Sequence, residues 1–197
     1  MSDDETLGVY AEQTEKYVAM MEKEASRDKV IDEFIAACPK SGTVLDLSCG
    51  PGHYARAMAE AGLKTSAWDA VPEMVAHADA RDGVTARVAR FDDLTETNAY
   101  DGIWAYFSLL HAPRDAFPRH LKAIARALKP GGTFVIAVKR GTGGARDKLG
   151  RHYEYYEQPE LEDHLRAVGL TPTKQWTGVA AGLAGHPDGW IAILAHG

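Results

Sequence analysis

The sequence predicts an α/β fold: a seven-stranded, mostly parallel sheet with helices on both faces and an antiparallel last strand. Three observations lead there. Between residues 43 and 138, strand-sized apolar segments alternate with segments of helical period. The last two apolar stretches, 170–179 and 189–195, are separated only by the turn-rich "AGLAGHPDG", so they should pair antiparallel. At 197 residues the chain is long enough for one domain with a substantial core and short for two.

Taken in order, residues 10–37 read as helix, with Tyr10, Tyr17, Met20, Met21, Val30, Ile31, Phe34 and Ile35 on apolar faces and a break near Ser26 left open. Residues 1–40 are thus expected to form an N-terminal helical cap. Pro39, Ser41 and Gly42 mark a loop before the strand "TVLDL" (43–47). A helix is expected over 51–61, stopped by Gly62, then strand 63–69 and a helix over 72–80 that opens on Pro72. Strands follow at 83–89 and 100–107. The next helix is expected to be capped by Asp115, to tolerate Pro118 in its first turn and to end at Pro130-Gly131-Gly132. Strand 133–138 leads into an irregular insert, 140–156, and a helix over 158–168.

Composition narrows the function. A net charge of −6 and the absence of a basic run oppose a nucleic-acid-binding role, because phosphate neutralisation needs clustered Lys and Arg. Cys38 and Cys49 are the only cysteines, so neither a disulfide framework nor paired zinc-ligand spacing is present, and no metal is expected. The acidic start "MSDDETLG" does not read as a secretory signal, and apolar runs such as "FVIAV" are too short to span a bilayer. A cytoplasmic protein without a membrane role is expected.

The chemistry points to "DLSCGPGH", where the first strand turns through small residues into a helix. Such a turn lets the backbone approach a ligand and offers helix N–H groups to an anion; a dinucleotide, a phosphate and S-adenosylmethionine all suit it. Asp46, Asp69 and Asp92-Asp93 fall at or just beyond three successive strand ends and should share one crevice. Asp69 sits where an acid accepts from ribose hydroxyls. The loop lacks the third glycine of the dinucleotide fingerprint and the Lys-Ser/Thr of a P-loop, and Asp46 favours a ligand that is cationic at its reactive end.

Together, "VLDLSCGPGHYARAMAEAG", "WDAVPEMVAHA", "RFDDL", "YDGIWAYFSLLHAP" and "HLKAIARALKPGGTFVIAVK" resemble, in order, the motifs of class I S-adenosylmethionine-dependent methyltransferases, over about 43–139. That family is Rossmann-like, and it usually has Gly where Ser48 stands. The resemblance implies that Asp46, Ser48, Gly50 and Gly52 surround the methionine moiety. It also implies that Asp69 takes the ribose hydroxyls, flanked by Ala70 and Val71, and that Asp92 accepts from the adenine amino group, with Phe91 or Asp93 supplying backbone contacts. Tyr106 and Phe107 would separate cofactor from acceptor.

His111 is the candidate general base, since an imidazole titrates near neutrality; His53 is expected at the cofactor entrance. The insert 140–156 reads as an active-site lid whose Arg140, Arg146 and Arg151 and tyrosines suit an anionic or aromatic acceptor. Tyr10 and Tyr17 are candidates to cover the site. Neither the amino-methylating [DNS]-P-P-[FYW] motif nor a cysteine placed for pyrimidine methylation is present, which leaves a small-molecule acceptor. Two alternatives stay open: a non-catalytic S-adenosylmethionine-binding regulator and an NAD(P)-dependent oxidoreductase.

Overall fold

The computed structural model describes residues 3–23 and 29–197. Its main sheet contains β1 (Thr43–Leu47), β2 (Lys64–Asp69), β3 (Val84–Val88), β4 (Tyr100–Tyr106), β5 (Leu128–Lys139), β8 (Thr171–Ala181) and β9 (Pro187–His196), in the order β3-β2-β1-β4-β5-β9-β8. The first five are mutually parallel, and β9 runs antiparallel to both β5 and β8. The expected seven strands and antiparallel last strand are therefore present.

The central strands are apolar without alternation because both of their faces are covered. Leu45, Leu47, Ile103, Phe134 and Ile136 pack on one side with α6 (Phe117–Ala127) and α7 (Gln158–Ala167). Val44, Trp104, Val135 and Ala137 pack on the other with α3 (Lys29–Ala37) and α4 (His53–Glu60). Asp46 alternates onto the same face as Val44, and the pairing sets it level with Trp104. Strand order reverses between β1 and β4, and the crevice for a ligand opens there, at the carboxyl ends of the strands.

Several local expectations are corrected. The N-terminal segment is not one helix from residue 10: α1 (Asp4–Glu12) and α2 (Thr14–Lys23) divide at Gln13. The Asp3 carboxylate caps α1 by accepting the Thr6 N–H at 3.0 Å. The break near Ser26 lies outside the described residues. α4 begins only at His53, since Gly52 is left-handed at φ 77°. α5 (Pro72–Asp79) starts on Pro72 as expected. α6 is not capped by Asp115; its N-cap is Ala116, which makes no side-chain cap bond. α6 also stops before Pro130, because Leu128 is already extended and pairs with Tyr100. The insert 140–156 holds a two-stranded ribbon of β6 (Gly144–Arg146) and β7 (His152–Glu154), with Arg151, Tyr153 and Tyr156 buried.

Candidate active site

The turn after β1 closes back over β2. Ser48 and Cys49 both donate their N–H to the Trp68 carbonyl, at 2.7 and 2.9 Å. Gly50 N–H donates to Asp69 Oδ2 and Val71 N–H to Asp69 Oδ1, each at 2.9 Å. Asp69 is thus the clasp between the loop and β2. Burial raises its carboxyl above the usual range, and the N–H groups of Val71 and Gly50 oppose that rise. Ser48 adopts φ 67°, a left-handed conformation that costs a non-glycine residue about 1–2 kcal/mol. Its hydroxyl donates to Asp69, which offsets part of that cost.

Asp46, on the strand before this turn, is left unsatisfied. Its Oδ2 is buried with no hydrogen-bond partner. Burial, and next the charge of Asp69, push its carboxyl up to about 8; the Ala55 N–H pulls the other way. Two buried acids, with no cation paired to either among the described residues, form a site that asks for positive charge.

A cavity of about 200 Å³ brings together Asp46, Ser48, Gly50, Asp69, Ala70, Val71, Tyr106, Phe107 and His111. Of the residues expected around the cofactor, Gly52, Asp92 and Asp93 do not line it. A Cβ on Gly52 would fall 2.8 Å from the Cα and Cβ of Ala78, so this glycine serves the close packing of α4 on α5. Asp92 points elsewhere because the turn at 91–93 buries Phe91 and swings its neighbour outward. There it meets Arg119 at 2.8 Å and His120 at 3.7 Å. Phe91, not Asp92, reaches the wall.

Aromatic rings form much of the remaining lining. Tyr106 stacks on Trp104, with centroids 4.7 Å apart, and Tyr54 contacts both. Phe107 holds φ 56°, strained for so bulky a residue, and its ring meets Trp190 edge-on at 6.1 Å. Ser108 also lines the cavity, and its buried Oγ has no partner. His53 lines the cavity against Tyr54, its imidazole pushed down to about 4 by burial and then by Arg81.

His111 is committed on both sides of its ring. Nδ1–H donates to the His152 carbonyl at 2.6 Å, so Nε2 is the acceptor, and the Tyr10 hydroxyl donates to it at 3.0 Å. Burial pushes its pKa down to about 3. In this arrangement the imidazole is neutral and its lone pair is directed at Tyr10. The Tyr10 hydroxyl also accepts from Arg151 at 2.9 Å, and Arg151 is held in turn by Asp147 at 2.6 Å. His152 N–H donates to Thr6 at 2.8 Å, and Arg146 pairs with Asp3. The helix α1 is therefore latched to the β6–β7 ribbon across the cavity, and Tyr10 and Tyr17 both line it.

The arginines expected to greet an anion are each paired with a carboxylate: Arg140 with Glu157, Arg146 with Asp3 and Glu5, Arg151 with Asp147. Lys139, on the same side, sits 2.6 Å from Asp188 and over the Tyr153 ring at 3.7 Å. Sequence reasoning missed Trp104, Lys139, Asp188 and Trp190. The signal for Trp104 was its register opposite Asp46 on the neighbouring strand; for Trp190 there was none short of knowing which strands pair.

Comparison with known proteins bears on the domain and the fold. Residues 44–132 match the family model described as a methyltransferase domain. A ubiquinone biosynthesis O-methyltransferase of Xanthomonas campestris pv. campestris is 32% identical over 109 residues, covering 52% of this chain and 45% of that protein. The chain thus spans just under half the length of the curated relatives it matches. A Burkholderia thailandensis 1,6-didemethyltoxoflavin-N1-methyltransferase, solved with 1,6-didemethyltoxoflavin and S-adenosylhomocysteine, superposes with a TM-score of 0.72 at 23% identity, covering 96% of this chain and 87% of its own. A Methanosarcina mazei S-adenosylmethionine-dependent methyltransferase gives 0.73 at 16% identity, over 87% and 98%. At these identities the structural likeness establishes the fold.

Proposed function

We propose that this chain, which carries a methyltransferase domain on the class I fold, transfers a methyl group from S-adenosylmethionine to a small-molecule acceptor. One observation carries the reading: the unpartnered Asp46 oxygen, buried beside Asp69 in a crevice at the strand-order reversal. A cofactor bearing both an ammonium and a sulfonium suits two carboxylates that lack a cation. A pyrophosphate does not, and this weighs against the NAD(P) alternative. When bound, S-adenosylmethionine supplies a methyl group made electrophilic by positive sulfur.

The chain's residues then do the following. Asp46 takes the ammonium end, Ser48 and Gly50 give their loop's backbone to the methionine part, and Asp69 with Ala70 and Val71 holds the ribose. Phe91 walls the adenine side in place of Asp92. Tyr106 and Phe107 divide the cofactor from the acceptor and exclude water, which leaves positioning as the main catalytic contribution. His111 fixes Tyr10 rather than taking a proton. The segment 140–156 is the far wall, and it opens and closes together with α1, to which it is tied. The cytoplasmic setting belongs to the same proposal; among the described residues no helix is long and apolar enough to cross a membrane.

The test is incubation with methyl-labelled S-adenosylmethionine and a small-molecule panel, following S-adenosylhomocysteine release. Turnover with one or more acceptors is expected. Tight cofactor binding with no turnover on any acceptor would favour the regulatory alternative.

A further inference from the structure

We propose that the acceptor is an uncharged planar aromatic ring bearing a hydrogen-bonding substituent, seated against Phe107 and Trp190, with Ser108 Oγ as the group that selects the substituent. The inference rests on the methyltransferase reading and narrows its acceptor. Charge accounting comes first. On the acceptor side, Lys139 is neutralised by Asp188 and Arg151 by Asp147. An anionic acceptor would be desolvated with no unpaired cation to receive it, and a cationic one would have to compete with lysine for Asp188. Arg90, which also lines the cavity, is paired with Asp4, and the acids Asp46 and Asp69 lie on the cofactor side.

Shape and strain give the second line. Phe107 is held in a left-handed backbone conformation immediately after β4, unfavourable for so bulky a residue, and its ring meets Trp190 edge-on. Such strain persists where the surrounding structure fixes it, and here it builds an aromatic wall. Edge and face contacts with rings favour a flat aromatic guest over a saturated one of equal size.

The third line is Ser108. Its residue is 2% exposed, its Oγ has no partner, and it follows Phe107 in the chain and lines the same cavity as Phe107, Trp190 and His111. A hydroxyl can donate or accept, so one polar substituent on the guest would satisfy it. A ring without one would leave it unsatisfied.

The test uses saturation-transfer NMR and calorimetry on the full chain with S-adenosylhomocysteine present. The probes are catechol, 2-naphthol and 8-hydroxyquinoline, each against a carboxylated analogue and a ring-saturated analogue, with naphthalene-type rings lacking the hydroxyl as controls. At least one neutral probe is expected to bind about tenfold or more tighter than both its analogues. Ser108→Ala should weaken that probe about tenfold, leave the unsubstituted ring within about twofold, and leave S-adenosylhomocysteine affinity unchanged. Phe107→Leu should weaken every ring alike. Equal or tighter binding of the carboxylated probes, or no binding by any neutral ring, overturns the inference. So does equal loss by hydroxylated and unsubstituted rings in Ser108→Ala. Failure to bind S-adenosylhomocysteine at all would instead remove the methyltransferase reading beneath it.

Discussion

Replacing Asp46 with Asn removes one buried charge from the cofactor crevice while keeping the side chain's shape. The free protein holds this carboxyl at about 8, through burial first and the charge of Asp69 second. It is therefore about 1% ionised at pH 6, about 10% at pH 7 and about half at pH 8. A cationic ligand binds the ionised form, so binding must expel the proton. The ratio of wild-type to Asp46→Asn affinity for S-adenosylmethionine should rise about tenfold from pH 6 to 7, about fivefold from 7 to 8, and under about twofold from 8 to 9. At pH 8 Asp46→Asn should bind about 10–100-fold more weakly, the worth of a charge-assisted hydrogen bond. The ligand's own amino group titrates equally in both proteins and cancels in their ratio. Calorimetry across pH, repeated in buffers of different ionisation enthalpy, reads both the affinity and the proton released. A ratio that does not change with pH would refute the assignment of Asp46 to the cationic end.

The same shift bears on stability. Asp46 is raised above its ordinary value of 3.8, so between there and about 8 the folded state holds a proton that the unfolded state releases, and stability falls as pH rises through that window. Asp46→Asn should flatten that part of the melting-temperature profile; an unchanged profile would contradict it. Gly52→Ala places a Cβ against Ala78 in a left-handed conformation and should cost about 2–4 kcal/mol in denaturant unfolding; a loss below about 1 kcal/mol would disprove the packing role. Tyr10→Phe strips a partner from both His111 and Arg151, and should destabilise by about 1–3 kcal/mol, measured as a lower denaturant midpoint. His111 stays neutral down to about 3, so the pH–rate profile should lack a limb near 6.5; a limb there, abolished by His111→Asn, would restore the general-base role.

What the sequence made legible was local. The strand, small-residue turn and acid that build the clasp lie between residues 43 and 71, and each follows from spacing along one βαβ unit. Asp92 misled because spacing places an acid near a strand end but not its direction; the burial of Phe91 decided that. Tyr10 and His111 are 101 residues apart, and no periodicity announces such a bond. Arg146 looked free because its partners, Asp3 and Glu5, come from α1, whose docking is tertiary, whereas Arg151 pairs within its own segment with Asp147. The acceptor wall was half visible: Tyr106 and Phe107 stand in a readable strand, whereas Trp190 joins them only through the β5–β9 pairing.

The most direct test of the cofactor assignment is a thermal-shift comparison of S-adenosylmethionine, S-adenosylhomocysteine, NADH, NADPH and ATP on the purified chain. A ligand at about a hundred times its dissociation constant adds about 2.7 kcal/mol, or roughly 5–10 °C for a domain of this size. The first two should raise the melting temperature by that order, and the other three should leave it unchanged. Stabilisation by a nicotinamide cofactor, or by none of the five, would contradict the assignment of the crevice between β1 and β4 to S-adenosylmethionine.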